Sequence, residues 1–516
     1  RGGGSSSGSA GGATTGGGSA GSSGGSRGGG TTGGTGAAGA GGRGGTGSTG
    51  GTSTAGRSSG SGATGGPAAG RGGGNPMNAT NPMLNTHNIM PIIPHGIDAN
   101  QDALYMLANG TGGFVIVNTN DLPPTNADGS LPLVVNSDLF YLTGVEQEQS
   151  ILVLNPDAED GKHREILFLR EASPENELWE GHKLTKAEAR ELTGIETIHW
   201  LPEFPRLFHR LMCAAEHVYL NTNEHNRAVI EVESRDARFI AEVKKNYPLH
   251  DYRRLAPLLH QLRAVKSEAE VALIQQACDV TKAAFERVAK FTRPGVAEYE
   301  IEAEYAHEFI RRRSRFAYPP IIATGLNACC LHYTVNSATC RAGELLLLDV
   351  AAACHNYNSD LTRTIPVSGR FTPRQKKIYN AVLRVLRGSI KNLRPGKTPR
   401  DWQKEAEQLM EKELVDLGLL TVRDLKKQNP DSPAVKKYFM HGIGHSLGLG
   451  VHDVVAPYQP FQSGWVMTVE PGIYIPEEKL AVRLENNVLI TENGTVDLMA
   501  HIPVEAGEIE TLMRRK

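Results

Sequence analysis

The sequence predicts an α+β protein: a large C-terminal α+β domain, preceded by a smaller mixed α/β domain and a disordered N-terminal tail. Three observations lead to this prediction. The chain begins with low-complexity sequence, continues with short β-rich runs separated by turn residues, and then alternates pairs of amphipathic helices with apolar strands. A chain of 516 residues is also too long for one ordinary core, so more than one domain is expected.

The predicted tail covers residues 1–84. Up to about Asn75 it is almost entirely Gly, Ser, Thr and Ala with a few Arg, and it contains no aromatic residue, Lys, Asp or Glu. Such sequence cannot bury enough apolar surface to offset the entropy of ordering its backbone. Arg followed by glycines resembles an RNA-binding RGG segment, but five arginines over 75 residues make a weak electrostatic footprint, and no aromatic ring is present to stack on bases. A flexible leader, or sequence upstream of a start at Met77, is the simpler interpretation.

The charge and the apolar pattern limit the possible partners. The net charge of −2 includes the five tail arginines, so the remaining chain carries −7, which argues against nucleic acid as a partner. No stretch approaches eighteen uninterrupted apolar residues, and no apolar signal-peptide core is present, so we expect a soluble, cytoplasmic protein without a membrane partner. The six cysteines form no CxxC pair, which favours reduced thiols.

A mixed α/β domain is predicted over residues 85–254. Its β-rich runs are GGFVIVNT (112–119), SDLFYLTGV (137–145), SILVLNP (150–156) and EILFLRE (165–171). KLTKAEARELTG (183–194) has the pattern of a helix.

The C-terminal domain is predicted over residues 255–516. A capping box, Ser267 to Glu270, begins a long amphipathic helix over 266–291, which stops at the turn residues 293–295. A second helix, about 297–313, leads into the strand-like YPPIIATG (318–325). Helices are predicted again over 372–425 and strands over 465–490, which gives the α+β class.

Two aspartates mark the first candidate site. The run ELLLLD (344–349) must form a buried strand, and it ends on Asp349. A carboxylate there is costly unless something compensates its charge. Asp360 follows eleven residues later, ahead of a second β-branched strand, and a hairpin would bring the two acids together. A pair of surface turn aspartates is the alternative, which the four leucines make less favourable.

Two glutamates occupy similarly apolar surroundings. Glu470 lies in VMTVEPGIYI (466–475), in what reads as the middle of a strand, and Arg483 and Glu485 lie in LAVRLENNVLI (480–490). Because side chains alternate along a strand, Arg483 and Glu485 should share a face. A lone glutamate in a strand is usually an edge or solvent-face residue. Four acids on apolar strands need a common compensation, and two divalent cations would supply it.

The segment HGIGHSLGLGVHD (441–453) contributes imidazoles on a glycine-rich backbone. One histidine added to the four acids gives a ligand set suited to two cations that share bridging carboxylates. The glycines would allow close approach of the backbone and φ values closed to other residues. The spacing of His441 and His445 imitates the HExxH of zinc proteases, but Gly442 replaces the glutamate, and Leu447 excludes a dinucleotide loop. Taken singly, each histidine would more often be structural than a ligand.

These residues resemble the dinuclear metal set of the pita-bread metallopeptidases, the M24 family of methionine aminopeptidase, prolidase and aminopeptidase P. The ordered series is Asp349, Asp360, His445, Glu470 and Glu485. The resemblance is strongest to bacterial-type aminopeptidase P (Xaa-Pro aminopeptidase), and it covers roughly residues 85–505. It is carried by NSDLFYLTG in the N-terminal domain and, in the C-terminal domain, by RPGVAEYEIEAE, LHYT, SDLTRTIPV, HGIGHSLGLGVHD, TVEPGIYI and VRLEN.

The resemblance implies a pita-bread catalytic domain that releases the N-terminal residue from peptides with proline at the second position. In the family, the residue matching Asp349 binds one metal, those matching Asp360 and Glu485 bridge both, and those matching His445 and Glu470 complete the other. A metal-bridged water or hydroxide would be the nucleophile, and Glu470 could move its proton.

Further residues match substrate-side positions of the family. His332 and His452 match groups around the substrate and the tetrahedral intermediate, and Arg483 matches a position beside the substrate or behind the ligands. His441 is predicted to be structural. The set predicted to take part in catalysis is therefore His332, His452, Glu470 and Arg483.

The oxygen-rich ligand set suits two Mn²⁺ ions, the usual assignment in the family, with Zn²⁺, Co²⁺ or Fe²⁺ possible. A homo-oligomer, dimer or tetramer, is expected by the same resemblance. Ala351, Gly450 and Val454 depart from residues common in the family; none is a ligand, but they could change the pocket.

Three alternatives remain. A prolidase, which cleaves only Xaa-Pro dipeptides, would use the same metals. A methionine aminopeptidase would lack the large N-terminal domain. A pita-bread domain without metals would be a binding module, which retention of all five ligands argues against.

Overall fold

The computed structural model describes residues 112–127, 129–171, 173–229, 231–455 and 458–514. The predicted disordered tail, residues 1–84, lies outside the described residues. None of the helices formed by the described residues has the length and apolar character needed to cross a membrane. The described chain forms an α/β domain followed by an α+β domain, as the sequence predicts.

The N-terminal domain is built on a six-stranded mixed sheet with the order β4-β3-β2-β1-β5-β6. Its strands are β1 (Gly113–Asn118), β2 (Ile151–Leu154), β3 (Glu165–Leu169), β4 (Thr197–Trp200), β5 (His217–Leu220) and β6 (Asp251–Arg254). Alternate residues of β1 face opposite sides: Val115 and Val117 pack in one apolar cluster, and Phe114 and Ile116 pack in another. Both faces of the central strands are therefore buried, which explains why β1, β2 and β3 read as continuous apolar runs.

Helices cover the sheet of the N-terminal domain. They are α1 (Ser137–Thr143), α2 (Pro174–Glu180), α3 (Lys186–Thr193), α4 (Phe204–Ala214), α5 (Arg235–Asn246) and α6 (Ala256–Ala264). The helix predicted over 183–194 is confirmed as α3, which begins with a capping box between Thr185 and Glu188.

The prediction of a β-run over 137–145 is wrong, because these residues form α1. The Asn136 side chain accepts hydrogen bonds from the backbone N–H groups of Asp138 and Leu139, and Gly144 ends the helix at a φ of 68°. A short, fully buried apolar run has no periodicity that separates helix from strand. The two caps were the signal that could have decided the assignment.

The C-terminal domain has a layer of longer helices. They are α7 (Glu268–Phe291), α8 (Glu298–Arg311), α9 (Pro373–Asn392), α10 (Pro399–Asp416), α11 (Val422–Lys427) and α12 (Ala506–Leu512). The predicted capping box of α7 is confirmed, since the Ser267 and Glu270 side chains each bond to the other residue's backbone N–H. The buried faces of these helices pack against the strands in one large apolar core.

Four short antiparallel sheets face these helices. Their strands are β7 (Arg315–Phe316), β8 (Ile321–Thr324), β9 (Leu345–Asp349), β10 (Ala352–Cys354), β11 (Tyr357–Asn358), β12 (Thr362–Pro366), β13 (Val466–Val469), β14 (Gly472–Ile475), β15 (Leu480–Arg483), β16 (Asn486–Thr491) and β17 (Gly494–Asp497). The sheets have the orders β11-β10-β7, β12-β9-β8, β13-β16-β17 and β14-β15. The leucine run is the buried strand β9, as predicted.

Glu470 and Glu485 do not lie within continuous strands, and this part of the prediction is wrong. The chain leaves β13 at Val469 and enters β14 at Gly472, while the neighbouring chain leaves β15 at Arg483 and enters β16 at Asn486. The registers pair Val469 with Asn486 and Gly472 with Arg483, so both breaks occur at the same level. The two glutamates therefore occupy a shared bend. Their side chains do not follow the alternation between the two faces of a sheet that a continuous strand would impose.

Candidate metal centre

Asp349 and Asp360 come together as the sequence predicts. β9 pairs with β12 in an antiparallel register that sets Asp349 opposite Thr362, two residues after Asp360. The hydroxyl oxygen of Tyr318 lies 2.6 Å from Oδ1 of Asp349 and 2.6 Å from Oδ1 of Asp360. One hydroxyl proton cannot serve both oxygens at once. The two carboxylates are thus close neighbours that share one hydrogen-bond donor.

His445 faces the same carboxylates. Its Nε2 atom lies 3.5 Å from Oδ2 of Asp360 and 3.7 Å from Oε1 of Glu470. Oxygen or nitrogen atoms of Asp360, His445 and Glu485 all lie within 4.8 Å of one another. Nδ1 of His445 lies 3.0 Å from the carbonyl oxygen of Ser446, to which it can donate its proton. That bond leaves the Nε2 lone pair directed at the acids, which is the usual orientation of a ligating histidine.

Glu470 and Asp349 lie on either side of this three-residue cluster. Glu470 Oε2 is 3.8 Å from Nδ1 of His441, and Asp349 Oδ2 accepts a 2.6 Å hydrogen bond from Arg483. All five residues of the predicted ligand set therefore converge on one place.

The electrostatics of the acids reflect their crowding. Burial raises the pKa of Glu485 well above its ordinary value, and the neighbouring acids raise it further. Burial also raises the pKa of Asp349, although Arg483 opposes this effect. Burial raises the pKa of Glu470 to about 7, with His445 and Arg483 acting in the opposite direction. Each shift means that the protein's own cations compensate these carboxylates only in part.

The residues present fit a pair of divalent cations. Oε1 of Glu485 is buried and lacks a hydrogen-bond partner among the described residues. A buried carboxylate oxygen without a partner is costly, and a hard cation is the group that carboxylate oxygens coordinate. Four carboxylates and one imidazole form the oxygen-rich donor set expected for such ions.

Arg483 begins a chain of hydrogen bonds behind the acids. It donates to the hydroxyl oxygen of Tyr474 at 2.9 Å, and that hydroxyl lies 2.8 Å from Nε2 of His441. Nδ1 of His441 lies 2.8 Å from the carbonyl oxygen of Gly442, to which it can donate. Burial, followed by Arg483, lowers the pKa of His441 to about 4, so the ring is neutral at neutral pH. The structural role predicted for His441 agrees with this geometry.

Arg483 and Glu485 meet through Thr362. Nε of Arg483 lies 3.2 Å from the Thr362 hydroxyl oxygen, and that hydroxyl donates to Glu485 Oε2 at 2.7 Å. The two side chains thus reach the same side, as predicted, but through the bend between β15 and β16.

His452 contacts the His445 ring, and His332 lies near enough to His441 and His452 to affect their pKa values. The ring centroids of His452 and His445 are 3.8 Å apart. Burial, followed by the charges of His445 and Arg227, lowers the pKa of His452 to about 3. His332 is exposed and lies in the segment after β8. Its charge is a minor cause of the low pKa values of His441 and His452, and burial is the main cause.

The glycines of 441–453 serve close packing. A Cβ on Gly444 would lie 2.0 Å from the carbonyl oxygen of Thr468, and one on Gly448 would lie 2.3 Å from Oδ2 of Asp453. The expected positive φ values are wrong, since Gly442, Gly444, Gly448 and Gly450 all lie outside that region. Steric room, rather than a left-handed backbone, is what requires glycine at positions 444 and 448.

The sequence did not reveal several residues that complete the site. Tyr318 contacts two predicted ligands, and the side-chain amide of Asn487 bonds to both the backbone N–H and the carbonyl of Asp360. Arg227 of the N-terminal domain lies with Nη1 2.9 Å from each ring nitrogen of His452. These are single residues of common types, and only the long-range packing gives them neighbours in the site.

Two family models match the chain. Metallopeptidase family M24 matches residues 272–492, and the aminopeptidase P N-terminal domain matches residues 99–219. The two matches agree with the two-domain architecture and with the resemblance drawn from the sequence.

Curated relatives agree with these matches. An Xaa-Pro aminopeptidase of Escherichia coli is 35% identical over 407 residues, 75% of this chain and 90% of the relative. Xaa-Pro aminopeptidase 3 of Homo sapiens is 32% identical over 420 residues, 78% of this chain and 81% of the relative.

Solved structures share the fold. Zinc-substituted E. coli aminopeptidase P in complex with product superposes with a TM-score of 0.72 at 32% identity, covering 82% of this chain and 99% of that one. Aminopeptidase PepP of Pseudomonas aeruginosa gives a TM-score of 0.73 at 30% identity, covering 82% and 98%. Identity at this level over nearly whole relatives confirms the predicted pita-bread fold, and the chain belongs to metallopeptidase family M24, among its Xaa-Pro aminopeptidases.

Proposed function

We propose that this protein is a metalloaminopeptidase that hydrolyses the bond between an N-terminal residue and a following proline. The observation that carries the proposal is the convergence of four carboxylates and His445 on one buried place, where Glu485 Oε1 has no partner among the described residues. The names of the relatives supply the substrate class, peptides with proline at the second position.

The five converging residues would hold two divalent cations. We assign Asp349 to one cation, His445 and Glu470 to the other, and Asp360 and Glu485 to both. Mn²⁺ is the proposed native ion because the donors are mostly hard oxygens. When bound, the cations would polarise the scissile carbonyl and lower the pKa of a coordinated water.

Glu470 is suited to move a proton during hydrolysis. Burial raises the pKa of the metal-free Glu470 side chain to about 7. A carboxylate beside a metal-coordinated water is the kind of group that serves as a general base. Nδ1 of His441 lies 3.8 Å from Oε2 of Glu470. Because the His441 ring is neutral at pH 7, it does not form an ion pair with the Glu470 carboxylate. Glu470 would accept the proton of the attacking water and deliver it to the leaving nitrogen of proline.

His332, His452 and Arg483 would contact the substrate. His452 is neutral at pH 7, so one ring nitrogen carries a proton that it can donate to the developing oxyanion. Arg227, at 2.9 Å from that ring, would reach the same peptide from the N-terminal domain. Arg483 donates one hydrogen bond to Asp349 and another to Tyr474. It would therefore orient the Asp349 ligand and also lie beside the substrate.

Other properties follow as proposals from the sequence. The N-terminal domain would comprise residues 85–254 and the catalytic domain residues 255–516. We also propose that the protein is a homo-oligomer and that it is cytoplasmic. The free state of all six cysteines supports the cytoplasmic location.

A metal-supplemented assay tests the function. Purified protein with Mn²⁺ should release arginine from Arg-Pro-Pro, with the released amino acid identified by mass spectrometry. Gly-Pro serves as the second substrate, and activity on the dipeptide alone would make the protein a prolidase. An elemental analysis that shows no transition metal, together with inactivity on both peptides after Mn²⁺ is added, would leave the binding-module alternative.

A further inference from the structure

The N-terminal domain contributes a partly buried carboxylate that is linked by hydrogen bonds to the neighbourhood of the site. Asp138 lies in the first turn of α1, within NSDLFYLTG, and its side chain is 13% exposed. Its Oδ2 atom accepts a 2.8 Å hydrogen bond from Asn221, and its Oδ1 atom accepts a 2.7 Å hydrogen bond from Arg263. Asn221 follows β5 directly and begins the loop that carries Arg227. Asp138 thus joins this loop to the C-terminal end of α6.

Arg263 extends the connection into the catalytic domain. Its second terminal nitrogen, Nη2, donates to Oδ1 of Asp453 at 2.5 Å, and Lys266 Nζ lies 3.1 Å from the other carboxylate oxygen. The two cations outweigh the effect of burial and hold the pKa of Asp453 below its ordinary value. Two carboxylates and two cations therefore form a neutral cluster in which each charge has a partner. Asp453, Arg263 and Lys266 are buried, and Asp138 is partly buried.

The Asp453 carboxylate shapes the turn that carries His452. The backbone N–H of Asp453 donates to the carbonyl of Ser446 at 3.0 Å, and that of Gly450 lies 3.3 Å from Oδ1 of Asp453. Gly448 packs so closely on this carboxylate that a side chain there would overlap it. The residue before Asp453 is His452, so the turn fixes where its ring meets His445.

The segments that carry Arg227 and His452 are consequently both connected to Asp138. One connection runs through Asn221 to the loop of Arg227, and the other runs through Arg263 and Asp453 to the turn of His452. The two connections meet again where Arg227 Nη1 lies 2.9 Å from the His452 ring. Among the described residues, the side chains of Asp138 and Arg263 form hydrogen bonds with Asn221, Asp453 and each other, and not with the five metal-site residues.

We propose that Asp138 and Arg263 are positioning residues that fix the distance between Arg227 and His452. The N-terminal domain would in this way determine how the substrate peptide binds. The proposal rests on the proposed function for its substrate. It predicts an effect on peptide hydrolysis without an effect on metal content, because neither residue contacts the metal site.

Asp138→Asn is the primary test, because it keeps the shape and removes the charge that Arg263 binds. We expect kcat/KM for Arg-Pro-Pro to fall about tenfold at unchanged metal content. The loss should also be non-additive with Arg227→Ala: once Arg227 is removed, Asp138→Asn should cost much less. A purely structural role would give additive losses. Values within twofold of the unchanged protein, or additive losses, would overturn the proposal.

Asp236→Asn is the matched control. Asp236 is another buried carboxylate of the same domain, and it accepts a 3.0 Å hydrogen bond from Asn118, with no bond to the catalytic domain among the described residues. The control should leave kcat/KM within twofold. A tenfold loss in Asp236→Asn would mean that any buried charge of this domain has the same effect, which contradicts the proposal.

Hydrogen exchange gives a readout that does not depend on activity. In Asp138→Asn, the amides of residues 446–453 should exchange about tenfold faster, although they lie in the other domain. Unchanged exchange would refute the connection even if the protein cleaved no Xaa-Pro peptide. If Asp138→Asn fails to fold, Asn221→Ser replaces it: kcat/KM should again fall non-additively with Arg227→Ala, while exchange at 446–453 stays unchanged. Additive losses in that variant would equally overturn the proposal.

Discussion

The imidazole rings of His445 and His452 lie with their centroids 3.8 Å apart and their planes inclined by 34°. One ring faces the carboxylates through Nε2, and the other faces Arg227. The rings of a proposed metal ligand and a proposed substrate contact therefore lie against each other, seven positions apart in the sequence. Their roles should nevertheless separate in variants.

His452→Ala should slow turnover and leave the metals in place. We expect kcat/KM to fall about 100-fold, the cost of removing one donor to a developing oxyanion, with two metal ions per chain retained. Steady-state kinetics and elemental analysis measure the two effects. His501→Ala, which removes a ring paired with Asp279, is the control and should change neither. Loss of metal in His452→Ala would mean that this residue is a ligand.

Asp360→Asn and Glu485→Gln should each abolish turnover. Each removes a charge proposed to be shared by both cations, so we expect kcat to fall more than about 1000-fold, with loss of bound metal. Asp279→Asn is the matched control, because that side chain is 59% exposed and remote from the site. Near-normal kcat in either site variant would contradict the dinuclear assignment.

The metal-free protein should become less stable as pH rises from about 4.5 to 7. Glu470 has its pKa raised from 4.5 to about 7, so the folded chain keeps a proton that the unfolded chain loses in this range. Stability therefore falls with increasing pH, by about 3 kcal/mol for this one group. Urea denaturation of chelator-treated protein at pH 5 and 8 measures the change. Glu470→Gln should flatten this dependence, and an unaltered slope would count against the shifted carboxyl.

Tyr318→Phe should weaken metal binding while sparing the fold. The hydroxyl lies 2.6 Å from an oxygen of both Asp349 and Asp360, so its removal frees two ligands to adopt other orientations. We expect a 10- to 100-fold loss of metal affinity, measured by competition with a chelating dye. Tyr379→Phe removes the hydroxyl of a fully buried tyrosine, bonded to the carbonyl of Val504, and should bind metal normally. Equal affinities for both variants would refute this role.

Gly444→Ala should destabilise the protein by about 3 kcal/mol, because the new methyl group would overlap the Thr468 carbonyl in β13. The same strand holds His445 through the Thr468 hydroxyl, at 3.1 Å from the His445 backbone nitrogen, so activity should fall as well. Gly442→Ala is the natural comparison, since its nearest neighbour would be 3.8 Å away. Similar melting temperatures for the two variants would exclude the steric explanation.

The sequence alone predicted the parts of this protein that depend on local chemistry. The capping box at Ser267 and the buried leucine strand ending at Asp349 follow from interactions within a few residues, and both are confirmed. It failed at residues 137–143, where a buried helix and a buried strand have the same composition. It also read Glu470 and Glu485 as strand residues, because the apolar pattern continues across the bend.

The candidate site divides in the same way. The five acidic and imidazole residues could be found from their cost in apolar surroundings and from the resemblance to a known family. Tyr318, Arg227 and the Asp138–Arg263 pair could not, because each acquires its role only from partners tens or hundreds of residues away. Polar residues of these types are ordinary in a sequence, and only three-dimensional neighbours distinguish them.

The shared bend at Glu470 and Glu485 restricts how this chain can change its length. A one-residue deletion between either glutamate and the turn at 476–479 would slide that carboxylate by about 3.3 Å and reverse the direction of its side chain. Only a compensating deletion in the opposite strand would restore the match. Homologous enzymes should therefore vary in length at the tip of this hairpin, and keep an equal number of residues on its two arms.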